Sequence, residues 1–149
     1  MPAQYVTGLV CPGCNKEYPL VEGNFVGMST CGDDFRQLRA NYRLDLIAQS
    51  ISKEAIQSRP KDMWRYLEFL PIDGYQRPDT SLGTGFTPLK KADKLAEVLG
   101  VEELYLKDDT VNPTGSFKDR GVEVAVARAK ELGYEIMACV STGNLAKST

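Results

Sequence analysis

Residues 104–144 read LYLKDDTVNPTGSFKDRGVEVAVARAKELGYEIMACVSTGN. The short apolar run Leu104-Tyr105-Leu106 predicts a strand. Asp108 to Gly115 is a loop, marked by Asn112-Pro113 and Thr114-Gly115. Phe117, Val122, Ala125, Val126, Ala129 and Leu132 then recur at helical spacing, and Gly133 closes the run. Ile136 to Val140 is continuously apolar, as in a strand covered on both faces. Ser141 to Asn144 is again a loop, with another helix starting just after it. This order predicts an α/β fold containing a parallel βαβ unit with a right-handed crossover. Ligands in such sheets bind beyond the carboxyl ends of the strands. Both loops, 108–118 and 141–144, leave such ends and are expected to face one site.

Working outward, Leu89, Ala92, Leu95, Ala96 and Leu99 also recur at helical spacing. Pro88 suits the first turn of that helix and Gly100 its end. Three segments result. Residues 1–35 are rich in Cys, Gly and turns, and read as a zinc-ribbon-like hairpin segment. Residues 36–86 connect, with one or two surface helices over 36–59 and a loop over 72–84 that includes Asp73-Gly74-Tyr75. Residues 87–149 begin the α/β domain. Its sheet is incomplete with two strands, and the chain stops about one turn into a helix. A truncated N-terminal piece, inactive by itself, is therefore expected.

Composition narrows the function. The 149 residues are 42% hydrophobic and 26% charged, which fits a globular chain and not a disordered one. Eighteen Lys and Arg face twenty Asp and Glu, without a basic stripe, so no nucleic-acid partner is expected. No apolar run approaches the roughly 18–20 residues of a membrane span. The first residues lack the pattern of a secretory signal, so a cytoplasmic location is the default. There is no His, which removes His-based catalysis and His metal ligands.

The chemistry concentrates at Lys118. Ser116 can cap the helix, and Asp119 lies in the first turn, where a carboxylate is favoured. A cation in that turn is disfavoured, and a neutral Lys amine is a nucleophile and Schiff-base former. The competing reading is a solvated surface amine.

The string Asn112-Pro113-Thr114-Gly115-Ser116-Phe117-Lys118-Asp119-Arg120 resembles the cofactor-lysine motif of fold-type II pyridoxal-phosphate enzymes, and among them the threonine synthases. Gly85-Phe86-Thr87-Pro88-Leu89, Leu104 to Asp109, Ser141-Thr142-Gly143-Asn144-Leu145 and Met63-Trp64-Arg65-Tyr66 resemble further segments of that family, in its order. The resemblance covers most of residues 60–149. It implies that Lys118 holds pyridoxal phosphate through its amine and moves protons, and that Asn144 hydrogen-bonds the cofactor ring hydroxyl. It places Phe117 beside the cofactor or in the core, and Ser116 as a phosphate or substrate contact or a cap. Ser141, Thr142 and Gly143 would bind the substrate carboxylate. The implied reaction converts O-phosphohomoserine and water to threonine and phosphate. Family analogy also implies a homodimer. The family's phosphate-binding Gly-rich loop comes from later in the chain than residue 149. Cysteate synthase and threonine dehydratase are relatives with related chemistry. A non-catalytic remnant or zinc-ribbon interaction module is the rival from another class.

Sixteen residues separate Cys11-Pro12-Gly13-Cys14 from Cys31, the gap of a C-x₂-C…C-x₂-C zinc site with its fourth Cys missing. The partner position of Cys31 is Met28 if Cys31 closes the second pair and Asp34 if it opens it. Asp33 or Asp34 can offer an oxygen, although structural zinc favours S and N ligands. Zinc on Cys11, Cys14 and Cys31, and a hairpin with free thiols, both fit. Cys139 sits in an apolar run and reads as a small buried hydrophobe.

Overall fold

The computed structural model describes residues 5–20, 29–72 and 77–149. Met28, weighed above as a ligand position, and Asp73-Gly74-Tyr75 of the expected loop lie outside the described residues.

The N-terminal part is a three-stranded antiparallel sheet. β1 (Val6–Val10) lies between β2 (Glu17–Tyr18) and β3 (Arg39–Tyr42). Leu9 pairs with Tyr18 on one side and Ala40 on the other. Gly8 permits the close pairing, because a Cβ there would meet the Tyr18 carbonyl oxygen at 2.7 Å. Leu9, Cys11, Cys31 and Leu38 form a small core, flanked by Tyr18 and Leu20. The third strand lies past the expected boundary at residue 35.

Two short helices follow, as expected for this stretch. They are α1 (Leu44–Ser50) and α2 (Lys53–Ser58), the latter capped by the Ser52 hydroxyl accepting from the Ala55 amide at 3.1 Å. A 3₁₀ segment, Met63–Phe69, carries Trp64 into a second core with Met63, Ile72 and Ala127. Leu67, Leu70 and Val124 pack around it. Arg59 grips Glu68 through two hydrogen bonds of 2.7 and 2.6 Å, which fixes α2 against this segment.

The remaining elements are β4 (Leu89–Lys91), α3 (Asp93–Leu99), β5 (Tyr105–Lys107), α4 (Lys118–Glu131) and α5 (Asn144–Ser148). Two expectations need correction. The helix expected from Leu89 begins only at Asp93, because Leu89–Lys91 pairs with Lys107–Tyr105 as a strand. The ladder continues through the Ala92 amide to the Leu104 carbonyl at 2.9 Å. Non-local backbone hydrogen bonds thus override the local helical spacing. Gly100 still ends α3, in the left-handed region at φ +68°.

The second correction concerns the parallel βαβ unit. β5 pairs antiparallel with β4, and Ile136–Val140 joins no ladder. Instead of being covered on both faces, Ile136 is 86% exposed and Val140 fully exposed. A strand needs a neighbour for its N–H and C=O groups, and the described residues supply none for this run. The fold is a mixed α/β arrangement of two small sheets. No helix among the described residues is long and apolar enough to cross a membrane.

Candidate active site and cysteine cluster

α4 starts from a loop held by hydrogen bonds. Asn112 is buried, accepts from the Gly85 amide at 3.0 Å and donates to the Asp109 carbonyl at 3.0 Å. Thr87 donates to Asp109 at 2.6 Å, and Arg120 Nη2 donates to Asp109 at 2.9 Å and to Thr87 Oγ1 at 3.1 Å. The Arg120 guanidinium, with the Thr87 hydroxyl, holds the Asp109 carboxyl below its ordinary range. The strings 85–89, 104–109 and 112–120, read separately in the sequence, are therefore joined in space.

Asp119 anchors the first turn. Its carboxylate is 3% exposed and accepts from the Thr114 amide at 2.8 Å and from the hydroxyls of Thr114 and Ser148 at 2.5 Å each. Burial pushes this carboxyl up, but the hydrogen bonds from Ser148 and Thr114 outweigh it and the net shift is downward. Ser148 lies in α5, so the same carboxylate ties α5 to the lysine loop.

Lys118 and Phe117 border a cavity of about 510 Å³. Its walls include Val122 and Ala125 of α4, Met137 and Cys139 of the apolar run, and Leu145 of α5. The Lys118 ammonium lies 4.8 Å from the centre of the Phe117 ring. Phe117 is 58% exposed and faces this space, so it is not core. An apolar, roomy cavity with a Lys amine at its edge fits an aromatic cofactor bearing an aldehyde. Met137–Cys139 and Leu145 thus approach Lys118, whereas the 141–144 loop expected to face the same site does not line this cavity.

Other expected residues stand apart from that cavity lining. Ser116 is buried, with its hydroxyl accepting from the Lys118 amide at 3.2 Å. Ser141 accepts from the Gly143 amide at 3.2 Å, and Thr142, Gly143 and Asn144 are exposed at the head of α5. Sequence reasoning passed over Asp109, Arg120 and Glu123. Their only signal was their place beside or within the motifs, since a charged helix residue reads as solvated.

The cysteines form a second cluster. The ligand atoms of Cys11, Cys14, Cys31 and Asp34 all lie within 4.8 Å of one another. Cys14 Sγ is 3.6 Å from Cys31 Sγ, and Cys11 Sγ is 3.2 Å from both Asp34 oxygens. All four cysteines are free, and Cys139 lies at the other site.

Residues 80–149 match the family model described as pyridoxal-phosphate dependent enzyme. That region is similar to the pyridoxal-phosphate dependent enzymes. The match begins just before the Gly85–Leu89 string and contains Lys118 and the whole cavity lining. Similarity also extends upstream. The chain is 41% identical over 138 residues to a threonine synthase of Methanocaldococcus jannaschii, covering 93% of this chain and 33% of the relative. It is 39% identical over 136 residues to a threonine synthase of Methanosarcina acetivorans, covering 91% and 31%. A threonine synthase of Bacillus sp. strain ULM1 is 49% identical over 84 residues, 56% of this chain and 23% of that protein. The chain thus spans about a third of the length of the two archaeal relatives.

Proposed function

We propose that this chain contributes the lysine-bearing part of a threonine synthase, acting on O-phosphohomoserine and water to give threonine and phosphate. The observation that carries the reading is Lys118. It lies in the motif string, at the edge of the apolar cavity, inside the matched region. Similarity to threonine synthases over nine-tenths of the chain supports this activity over that of the relatives on the same fold.

Pyridoxal phosphate, when bound, supplies an electron sink for carbanion chemistry. Lys118 Nζ would hold it covalently and, once released, carry protons to and from substrate carbon. Phe117 and the apolar wall would keep water from the ring. Asn144 would hydrogen-bond the cofactor's ring hydroxyl. Ser141, Thr142 and Gly143 would bind the substrate carboxylate, and Ser116 would support the lysine turn. In this reading residues 1–35 are a zinc-ribbon-like segment, 36–86 a connection and 87–149 the start of the cofactor domain. The substrate is a small amino acid phosphate ester, and the enzyme works as a cytoplasmic homodimer.

The test mixes the protein with pyridoxal phosphate, reduces it with borohydride, digests it and locates the modified lysine by mass spectrometry. Labelling concentrated on Lys118 and lost in Lys118→Ala is the expected result. Labelling spread evenly over the lysines would overturn the assignment.

A further inference from the structure

The segments around Cys11 and Cys31 are two copies of one turn. Cys11-Pro12-Gly13-Cys14-Asn15-Lys16 aligns with Cys31-Gly32-Asp33-Asp34-Phe35-Arg36. The Cys11 amide donates to the Lys16 carbonyl at 2.9 Å, and the Cys31 amide to the Arg36 carbonyl at 2.8 Å. The Asn15 amide donates to the Cys11 carbonyl at 3.0 Å, and the Phe35 amide to the Cys31 carbonyl at 2.9 Å. Asn15 and Phe35 both sit in the left-handed region, at φ +60° and +57°. Backbone amides at 13 and 14 are bonded to the Cys11 sulfur, and those at 33 and 34 to the Cys31 sulfur. In this repeat Asp34 occupies the place of Cys14.

We propose that Cys11, Cys14, Cys31 and Asp34 form a tetrahedral zinc site in which Asp34 supplies the fourth ligand. Zn–S bonds of about 2.3 Å and a Zn–O bond of about 2.0 Å at tetrahedral angles imply sulfur–sulfur separations of about 3.8 Å and sulfur–oxygen separations of about 3.5 Å. The observed 3.6 Å between Cys14 and Cys31 and 3.2 Å between Cys11 and Asp34 lie close to these. Three sulfur ligands select zinc over hard cations such as magnesium and calcium.

The surroundings are built for the carboxylate. A Cβ on Gly13 would stand 2.2 Å from Asp34 Oδ2, so only glycine leaves room for it. Arg36 Nε is 3.6 Å from Asp34 Oδ2, which offsets part of the negative charge of four anionic ligands. The Tyr18 hydroxyl donates to the Cys31 sulfur at 3.2 Å and accepts from the Gly32 amide at 3.2 Å, a second-sphere contact that orients a thiolate. The ligands join the turn after β1 to the turn before β3 across a core of only a few side chains, where a metal would supply stability the core lacks.

Zinc per chain, measured by elemental analysis of the purified protein, is expected to be one equivalent. Cobalt-substituted protein should show a thiolate-to-cobalt charge-transfer band. Asp34→Asn should weaken zinc by more than about 100-fold in chelator competition, beyond the loss typical of a supporting residue. Asp34→Cys completes a four-sulfur site, so it should keep zinc and shift the cobalt spectrum even if Asp34→Asn fails to fold. Protein isolated without zinc, a Cys14–Cys31 disulfide in its place, or an Asp34→Cys cobalt spectrum identical to the wild type would overturn the proposal.

Discussion

Replacing Glu123 with Ala tests how the lysine helix is held. Glu123 accepts four hydrogen bonds, from Trp64 Nε1 at 2.6 Å, Ser81 Oγ at 3.1 Å, the Leu82 amide at 3.1 Å and Thr84 Oγ1 at 2.5 Å. Trp64 is 2% exposed and Thr84 0%, so neither finds water when the carboxylate is removed. The exposed Leu82 amide and the half-buried Ser81 hydroxyl do. Two buried donors left without acceptors cost about 1–3 kcal/mol each, so the expected loss is about 2–6 kcal/mol. That is a large part of a typical stability of about 5–15 kcal/mol. Trp64 is the only tryptophan, so its fluorescence during urea unfolding reads this network directly. With a slope of about 1–3 kcal/mol per molar urea, the midpoint should fall by at least about 0.7 M. Glu123→Gln keeps one acceptor oxygen and should lose about half as much. A Glu123→Ala midpoint within experimental error of wild type, with unchanged Trp64 emission, would refute the account.

Two further outcomes follow from the same structure. Asp108 is pushed down to about 2 by hydrogen bonds from Lys90 and Thr110. Its contribution is complete above its unfolded value and vanishes as pH falls through the folded one, so Asp108→Asn should flatten the pH dependence of stability between about pH 4 and 2, measured by acid unfolding. Gly85 lies at φ +96° with Met63 N and Arg120 Nη1 2.9 Å from where a Cβ would stand, whereas Gly100 at φ +68° has open space. Gly100→Ala should cost about 1 kcal/mol and Gly85→Ala clearly more, by thermal unfolding; equal losses would remove the steric argument.

Legibility in the sequence followed the range of the forces involved. α4 was readable because its apolar spacing and the Gly133 stop are local signals. It runs Lys118–Glu131, within a residue of the expected span. Leu89–Lys91 was not, since its residues suit helix or strand and only pairing with Tyr105–Lys107 decides. Ile136–Val140 has the composition of a buried strand without a ladder partner. The cysteine spacing left Met28 and Asp34 both open as the fourth position. The turn geometry favours Asp34, and it depends on a left-handed Phe35 that no residue preference announces. Asp119 was legible only as a favoured first-turn carboxylate and Glu123 not at all, because their donors come from Thr114 and Ser148, or from residues 64–84.

Helix α4 resolves why one short string can set a lysine so firmly. Lys118, Gly121, Val122 and Ala125 fall at i, i+3, i+4 and i+7, the spacing of one helical face, and all four border the cavity. Asp119 and Glu123 fall at i and i+4 on another face, and Arg120 between them. Each of these three is hydrogen-bonded to a different part of the chain: Asp119 to residues 114 and 148, Arg120 to 87 and 109, and Glu123 to 64, 81, 82 and 84. The bonds prevent the helix from rotating about its axis or sliding along it, because either motion breaks several charge-assisted bonds at once. An exposed Lys amine on a mobile helix would sample many positions. On this helix only its own side-chain rotamers remain free, and the backbone point from which they reach into the cavity is fixed. Three charged residues, Asp119, Arg120 and Glu123, are what hold the catalytic candidate in place.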